Sequence, residues 1–257
     1  MGLRVSWRVV GASEVGTSHT ATGRPCEDSC WAQVGATGQG TPYLALLVAD
    51  GAGSAARGGE GAELAVQEAV AFFEEKLSAQ AHELTEALAT ECLLSIRETL
   101  DAKAVAEGRA LRDFACTFLG VISSQQGTLV LQIGDGGIVL DVGQGLVVPV
   151  VPMSGEYANM THFVTDDSAV SQLVTKSYPS IATRVAVFSD GLQRLALNMA
   201  TNTAHEPFFA PFFKVLATAT ADQEDQLNDA LVKFLQSPAV NERTDDDKTL
   251  TLAVFTG

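Results

Sequence analysis

Three apolar, β-branched runs in this chain stop at the same dipeptide: LALLVADG at residues 44–51, LVLQIGDG at 129–136 and VAVFSDG at 185–191. Each run reads as a strand, and each carries an aspartate to its end with glycine behind it. One Asp-Gly after a strand is ordinarily a turn, because both residues tolerate left-handed backbone. That reading weakens at Asp50 and Asp190, since neither is followed by a returning strand. Asp50 opens onto GAGSAARGGEG and a long helical pattern, Asp190 onto LQRLAL. A carboxylate on a rigid strand end suits a hard cation, and the adjacent glycine allows close approach by metal, water and substrate. Sheet pairing is then what brings several such carboxylates to one edge.

The rest of the pattern supplies the layers. Strands are expected at 3–11, 43–50, 114–123, 128–134, 137–142, 146–151, 183–190 and 249–255. Val66, Val70, Phe73 and Leu77 fall at helical spacing, as do Leu84, Leu88, Cys92 and Ile96, and Leu227, Leu231 and Phe234 within 223–234. The short links QQG and GQG imply hairpins, hence a mainly antiparallel sheet. Blocks of strands and blocks of helices point to an α+β fold. A chain of 257 residues, 46% hydrophobic, buries a substantial core, and no linker or repeat divides it, so one domain over 1–257 is expected.

Charge narrows the function. With 16 basic and 31 acidic residues the net charge is −15, which argues against a binder of nucleic-acid phosphates and suits metal cations better. No apolar run reaches the roughly 18 residues of a membrane span, and no signal peptide is apparent. MGLRVS fits a myristoylation pattern, but Val5, Trp7 and Val9 alternate like a strand; the sequon at Asn159 reads as coincidence. Cys26, Cys30, Cys92 and Cys116 form no CxxC or zinc spacing and are expected as reduced thiols in a cytoplasmic protein. Acids cluster at Glu27-Asp28, Asp50, Asp135, Asp190 and Asp245-Asp246-Asp247, while the four histidines make no ligand-like pair. Paired divalent ions about 3.5–4 Å apart hydrolyse phosphate esters, and bridging them demands several carboxylates.

In order along the chain, VADGAGSAARGGEGAELA, CTFLGVI, LQIGDGGIVL, VFSDGL and DDDKTLTLAVF resemble the motif series of the metal-dependent PP2C (PPM) serine/threonine protein phosphatases. GTSHTATGRPCEDS and SGEYANMTHFVT resemble a bacterial-type subfamily. The resemblance implies a four-layer α-β-β-α sandwich of two antiparallel sheets flanked by helices, with a dinuclear Mn²⁺ or Mg²⁺ centre at one end. Carried over by motif, Asp50 bridges both metals, Gly51 gives a carbonyl ligand, and Asp190 and Asp246 complete the catalytic set. Glu27 and Asp28 act through water. Asp245 and Asp247 stay open as alternatives to Asp246, since three adjacent acids leave the register unsettled.

Departures from the family pattern qualify these assignments. The usual phosphate-binding Arg is displaced; Arg24 and His19 are the candidates to replace it, or both are solvated loop residues. Asp135 stands in GDGG where relatives have GDSR, and is expected as a buried structural carboxylate. Asp113 is a candidate for a third, weaker metal, or a surface turn acid. The segment 154–165 matches a mobile flap that Glu156, Tyr157 and Asn159 would order, and His162 is a candidate proton donor. Neither Cys26 nor Cys30 lies in a Cys-x5-Arg phosphate loop, so neither is expected as a nucleophile. The implied substrates are phosphorylated proteins, the products of a Ser/Thr kinase, acted on by a monomer; the rivals are a noncatalytic partner-binding domain and a phosphatase of another phosphoester.

Overall fold

The computed structural model describes residues 6–79, 83–151 and 161–257. In chain order the elements are β1 (Trp7–Glu14), α1 (Thr17–Thr22), β2 (Asp28–Ala36), β3 (Pro42–Asp50), α2 (Gly58–Ala79), α3 (Glu86–Glu107), β4 (Phe118–Ser124), β5 (Gly127–Ile133) and β6 (Gly137–Asp141). They continue with α4 (Ala169–Gln172), β7 (Val174–Tyr178), β8 (Arg184–Phe188), α5 (Gln193–Ala196), the short pair β9 (Leu197–Asn198) and β10 (Thr203–Ala204), α6 (Glu206–Thr218), α7 (Glu224–Leu235), α8 (Pro238–Asn241) and β11 (Lys248–Phe255).

Two antiparallel sheets result, one ordered β2-β3-β4-β5-β7, the other β1-β11-β8-β6. Strand β3 shows why they stack. Tyr43, Ala45, Leu47 and Ala49 face α2 and α3, while Leu44, Leu46 and Val48 face the second sheet, so both faces are buried and the run is continuously apolar. Truncating Leu46 or Leu47 to Ala would cost about 2–5 kcal/mol. The second sheet is covered on its outer face by α6 and α7, where Phe208, Phe209, Phe212 and Phe213 pack with Phe188 and Phe234. The expected four-layer sandwich is therefore present. Helix α3 starts at Thr85, whose hydroxyl accepts from the Leu88 N–H, and stops at Gly108 with φ +63°. Of the expected stripes Val66, Phe73, Leu77, Leu88, Cys92 and Ile96 are buried, with Val70 and Leu84 at the margin.

Several expectations are corrected. Residues 146–151 do not form a strand: the chain reverses through Gly143 and Gly145, whose N–H groups donate to Asp141 Oδ1, and only Val147 pairs, with Leu140, before Pro149 removes a donor. The link from β5 to β6 is no hairpin, because the two strands lie in different sheets. Residues 111–114 form a 3₁₀ turn ahead of β4. Helix α2 takes in Gly58 and Gly59 from the glycine-rich stretch. β1 runs from Trp7 to Glu14, and the expected start at residue 3, like the myristoylation motif, falls partly outside the described residues.

Candidate metal centre

The inter-sheet core is mostly apolar, and at one end its inward rows finish in carboxylates and hydroxyls. On the five-stranded sheet Asp50 continues the row of Leu44, Leu46 and Val48, and its cross-strand partner Asp28 continues that of Cys30, Ala32 and Val34. On the facing sheet Ser189 continues Val185 and Val187, and Thr249 continues Thr251 and Ala253. Across the gap the Ser189 and Thr249 hydroxyls both donate to Asp28 Oδ2 at 2.7 Å. The end of β3 is fixed by Thr117: the Asp50 N–H donates to its hydroxyl at 3.0 Å and its own N–H donates to the Asp50 carbonyl at 2.8 Å.

The glycine behind each aspartate has a steric reason. A Cβ on Gly51 would lie 2.3 Å from the Gly58 backbone carbon, one on Gly136 2.6 Å from the Phe188 carbonyl oxygen, and one on Gly191 2.1 Å from that of Asp247. None of the three has a positive φ. They are glycine because another stretch of backbone presses on them, not because the chain turns left-handed there.

The triple-acid run is divided by its surroundings. Asp247 is buried, 3% exposed, and accepts from the Gly16 N–H at Oδ1 and the Glu27 N–H at Oδ2, both at 2.6 Å. Asp246 lines an open pocket of about 180 Å³ together with Asp50, Gly51, Asp135, Asp190, His19, Thr117, Thr161 and Phe163; Asp245 is exposed and not among the lining residues. Asp190 reaches the pocket from a 3₁₀ turn, Asp190–Leu192, that follows β8. Four carboxylates on four separate parts of the chain therefore share one cavity.

These acids accept hydrogen bonds from hydroxyls and amides, but among the described residues no lysine or arginine pairs with them. Burial pushes the Asp28 carboxyl up to about 7 against the opposing pull of the Thr249 and Ser189 hydroxyls. Burial, then the charges of Asp135 and Asp246, lifts Asp190 to about 6. Asp50 is held well above the carboxylate range by burial and by Asp28, Asp190, Asp246 and Asp135. Asp28 Oδ1 and Asp190 Oδ1 are buried without a hydrogen-bond partner. Hard oxygen donors, orphaned buried oxygens and mutual repulsion are what one or more divalent cations would resolve, so the donor set fits Mn²⁺ or Mg²⁺. Among the described residues no three His, Cys, Asp or Glu side chains are already drawn into a ligating group.

The other expected site residues fall variously. His19, on α1, lines the pocket. Glu27 and Arg24 are taken up with each other, Nη2 to Oε2 at 2.6 Å, and neither is among the lining residues. Asp113 sits in the 3₁₀ turn before β4, 3.8 Å from Arg109, also outside the pocket lining. Asp135, expected to be buried and structural, is half-buried and lines the pocket, accepting from the Thr161 hydroxyl at 2.5 Å. Its position between two sheets, not within a hairpin, is what delivers it there. His162 pairs with Asp166 at 3.8 Å. Glu156, Tyr157 and Asn159 lie outside the described residues. All four cysteines are free; burial raises the Cys30 thiol to about 11 and Cys26 higher still, which suits neither to nucleophilic attack. Sequence reading missed Ser189 and Thr249 as partners of Asp28, although each falls on the inward parity of its strand.

The chain matches the family model described as protein phosphatase 2C over residues 15–236. It is 56% identical over 251 residues to serine/threonine-protein phosphatase 3 of Escherichia coli (strain K12), covering 98% of this chain and 99% of that protein. Among solved structures, serine/threonine phosphatase Stp1 from Staphylococcus aureus superposes with a TM-score of 0.63 at 14% identity, covering 100% of this chain and 98% of that one. The catalytic domain of serine threonine protein phosphatase PstP in complex with two manganese ions gives 0.64 at 15%, covering 98% and 99%. PppA of Pseudomonas aeruginosa gives 0.61 at 17%, again covering 98% and 99%.

Proposed function

This chain belongs to the protein phosphatase 2C family, and from that premise we propose that its acidic pocket is a dinuclear Mn²⁺ or Mg²⁺ centre hydrolysing phosphoserine and phosphothreonine in proteins. The chain is a phosphoprotein phosphatase. The observation that carries the metal reading is the meeting of Asp50, Asp190 and Asp246 in one pocket.

Asp50 would bridge the ions, with the Gly51 carbonyl, Asp190 and Asp246 as further ligands and Glu27 and Asp28 acting through water. When bound, the ions would supply an activated water and neutralise charge on the departing group. The chain's own part is to hold the acids at fixed places. Ser189 and Thr249 orient Asp28, Thr117 locks the end of β3, and Asp247 ties the Gly16 and Glu27 amides to the acidic run just ahead of β11 that holds Asp246. His19 faces the pocket and is the better placed of the two phosphate candidates, since Arg24 is occupied by Glu27. Asp135 is available as a further acid beside the centre, and Asp113 for a weaker third cation.

We place the substrates among the products of a Ser/Thr kinase and the enzyme in the cytoplasm as a monomer; among the described residues no helix is long and apolar enough to cross a membrane. The test is phosphate release from a phosphothreonine peptide with Mn²⁺, with and without a chelator. Release that needs the metal is expected, and release unaffected by the chelator would overturn the metal reading.

A further inference from the structure

An open sheet edge exposes a row of unused N–H and C=O groups, and three of the four edges of this sandwich are guarded. On β1 the outward Gly11 N–H donates to Asn228 Oδ1 of α7 at 3.0 Å. On β6 Leu140 exchanges backbone hydrogen bonds with Val147, at 3.0 and 2.8 Å. β7 is five residues long and carries the exposed Lys176. β2 has none of these devices: it runs for nine residues without a Lys, Arg or Pro. Its register fixes which groups are free. The Gly51 N–H donates to the Glu27 carbonyl at 3.1 Å, and hydrogen-bonded pairs alternate along an antiparallel ladder. Ser29, Trp31 and Gln33 therefore bond to β3, while Cys30, Ala32 and Val34 turn their amides and carbonyls outward, where no group among the described residues takes them up.

The flank of that edge has its own chemistry. α2 runs beside β2, with Gly59 against Glu27 at one end and Ser78 against Gly38 at the other. Between them Val70 and Glu74 join Trp31 and Gln33 around a narrow cleft. Glu63 falls on the same helical stripe, and among the described residues neither it nor Glu74 is ion-paired with a Lys or Arg. We propose that the β2 edge docks the phosphoprotein substrate: an extended segment adds to β2 as an antiparallel strand and presents basic side chains to Glu63 and Glu74. This rests on the phosphatase reading above. β2 leads away from Asp28, the cross-strand partner of Asp50, so a strand antiparallel to it runs toward the pocket. The docking residues are thus those N-terminal to the phosphorylated one. Along the added strand, residues opposite Ala32 make the main-chain bonds, and those opposite Trp31 face α2.

The experiment measures kcat and KM with Mn²⁺ on two phosphothreonine peptides and on p-nitrophenyl phosphate. One peptide carries alternating valine and lysine on the N-terminal side of the phosphothreonine, the other the same run on the C-terminal side. The N-terminal run should raise kcat/KM about 10-fold over the C-terminal one, through KM. Ala32→Pro removes one outward N–H without touching a bond to β3, and Glu74→Lys reverses the charge at the cleft. Each should erase most of that advantage and leave turnover of p-nitrophenyl phosphate unchanged. On the peptide itself, N-methylation of the valines should erase the advantage and N-methylation of the lysines should not. Equal kcat/KM for the two peptides, or an advantage that survives Glu74→Lys or valine methylation, would overturn the proposal and leave the phosphatase reading intact. So would a dimer in sedimentation that Ala32→Pro splits, since a second copy would then hold the edge. An unmodified chain inactive on all three esters would instead remove the phosphatase reading, and the proposal with it.

Discussion

β3 and β6 both close on an aspartate, and the two lie at opposite ends of the sandwich. Asp141, at the end of β6, is fully provided for by the chain: it accepts from Arg184 Nη2 at 2.6 Å and Nε at 3.2 Å, and from the Gly143 and Gly145 amides. Partial burial works against its charge, but the guanidinium and amides outweigh it and hold the carboxyl below its usual range. Asp50, at the end of β3, meets other acids instead and is held above that range. One strand end closes its own electrostatics and serves structure. The other leaves them open, and it is on this that the proposed cation centre rests.

Four measurements can break or sharpen that contrast. Asp50→Asn keeps the shape and removes the charge, so metal-dependent phosphate release should fall by about 10³-fold or more while circular dichroism shows the fold retained. Full activity would end the contrast at once. Next, Mn²⁺ at 100 times its dissociation constant should stabilise the native chain by about 2.7 kcal/mol, seen as a rise in thermal midpoint, and should do much less for Asp50→Asn.

The pH dependence of the metal-free chain should also differ between the two ends. Asp28 and Asp190 have folded values raised to about 7 and about 6 from an unfolded value near 3.8. The native state therefore binds more protons across that window, and stability should fall as pH rises from about 4 to 7. Asp141 has a lowered value, so its contribution is present above its unfolded value and fades as pH drops below it. Chelator-treated protein followed by thermal melts should lose the upper slope when Mn²⁺ is restored; a slope indifferent to Mn²⁺ would count against cation binding by these acids. The smallest effect is expected for Arg184→Ala. It should cost about 1 kcal/mol, since the guanidinium is partly exposed and its pairing is screened, and should leave activity unchanged. A large loss of activity would mean the far end is coupled to the pocket.

The sequence was most legible where burial was two-sided. β3, β8 and β11 read as strands because their apolar runs are unbroken, and the stripes of α2 and α3 fall at helical spacing. β2 was missed because its glycines and polar residues dilute the alternation, and its partial exposure gives no continuous run. β7 was hidden in a polar segment because it is an exposed edge strand. The change of sheet between β5 and β6 could not be read from a two-glycine link that also suits a hairpin, and that error alone misplaced Asp135. Within the site, Asp50 and Asp190 stood out because neither strand end leads into a returning strand. Asp246 was separated from its neighbours only by the amides that claim Asp247, a long-range contact with no local signature.

β11 is the last of the eleven described strands in sequence, yet it lies inside its sheet, between β1 and β8, and brings Thr249 beside Asp28 with Asp247 and Asp246 just ahead of it. A nascent chain that has emerged only to residue 240 already contains β3, β8 and most of both helical layers, but β1 and β8 have no common neighbour and one wall of the pocket is missing. Pairing β1 with β11 closes a loop of more than two hundred residues, a slow event on contact-order grounds. Without this segment the pocket lacks the wall that carries Thr249 and Asp246, so a chain cut before residue 245 is expected to be silent in the phosphate-release assay.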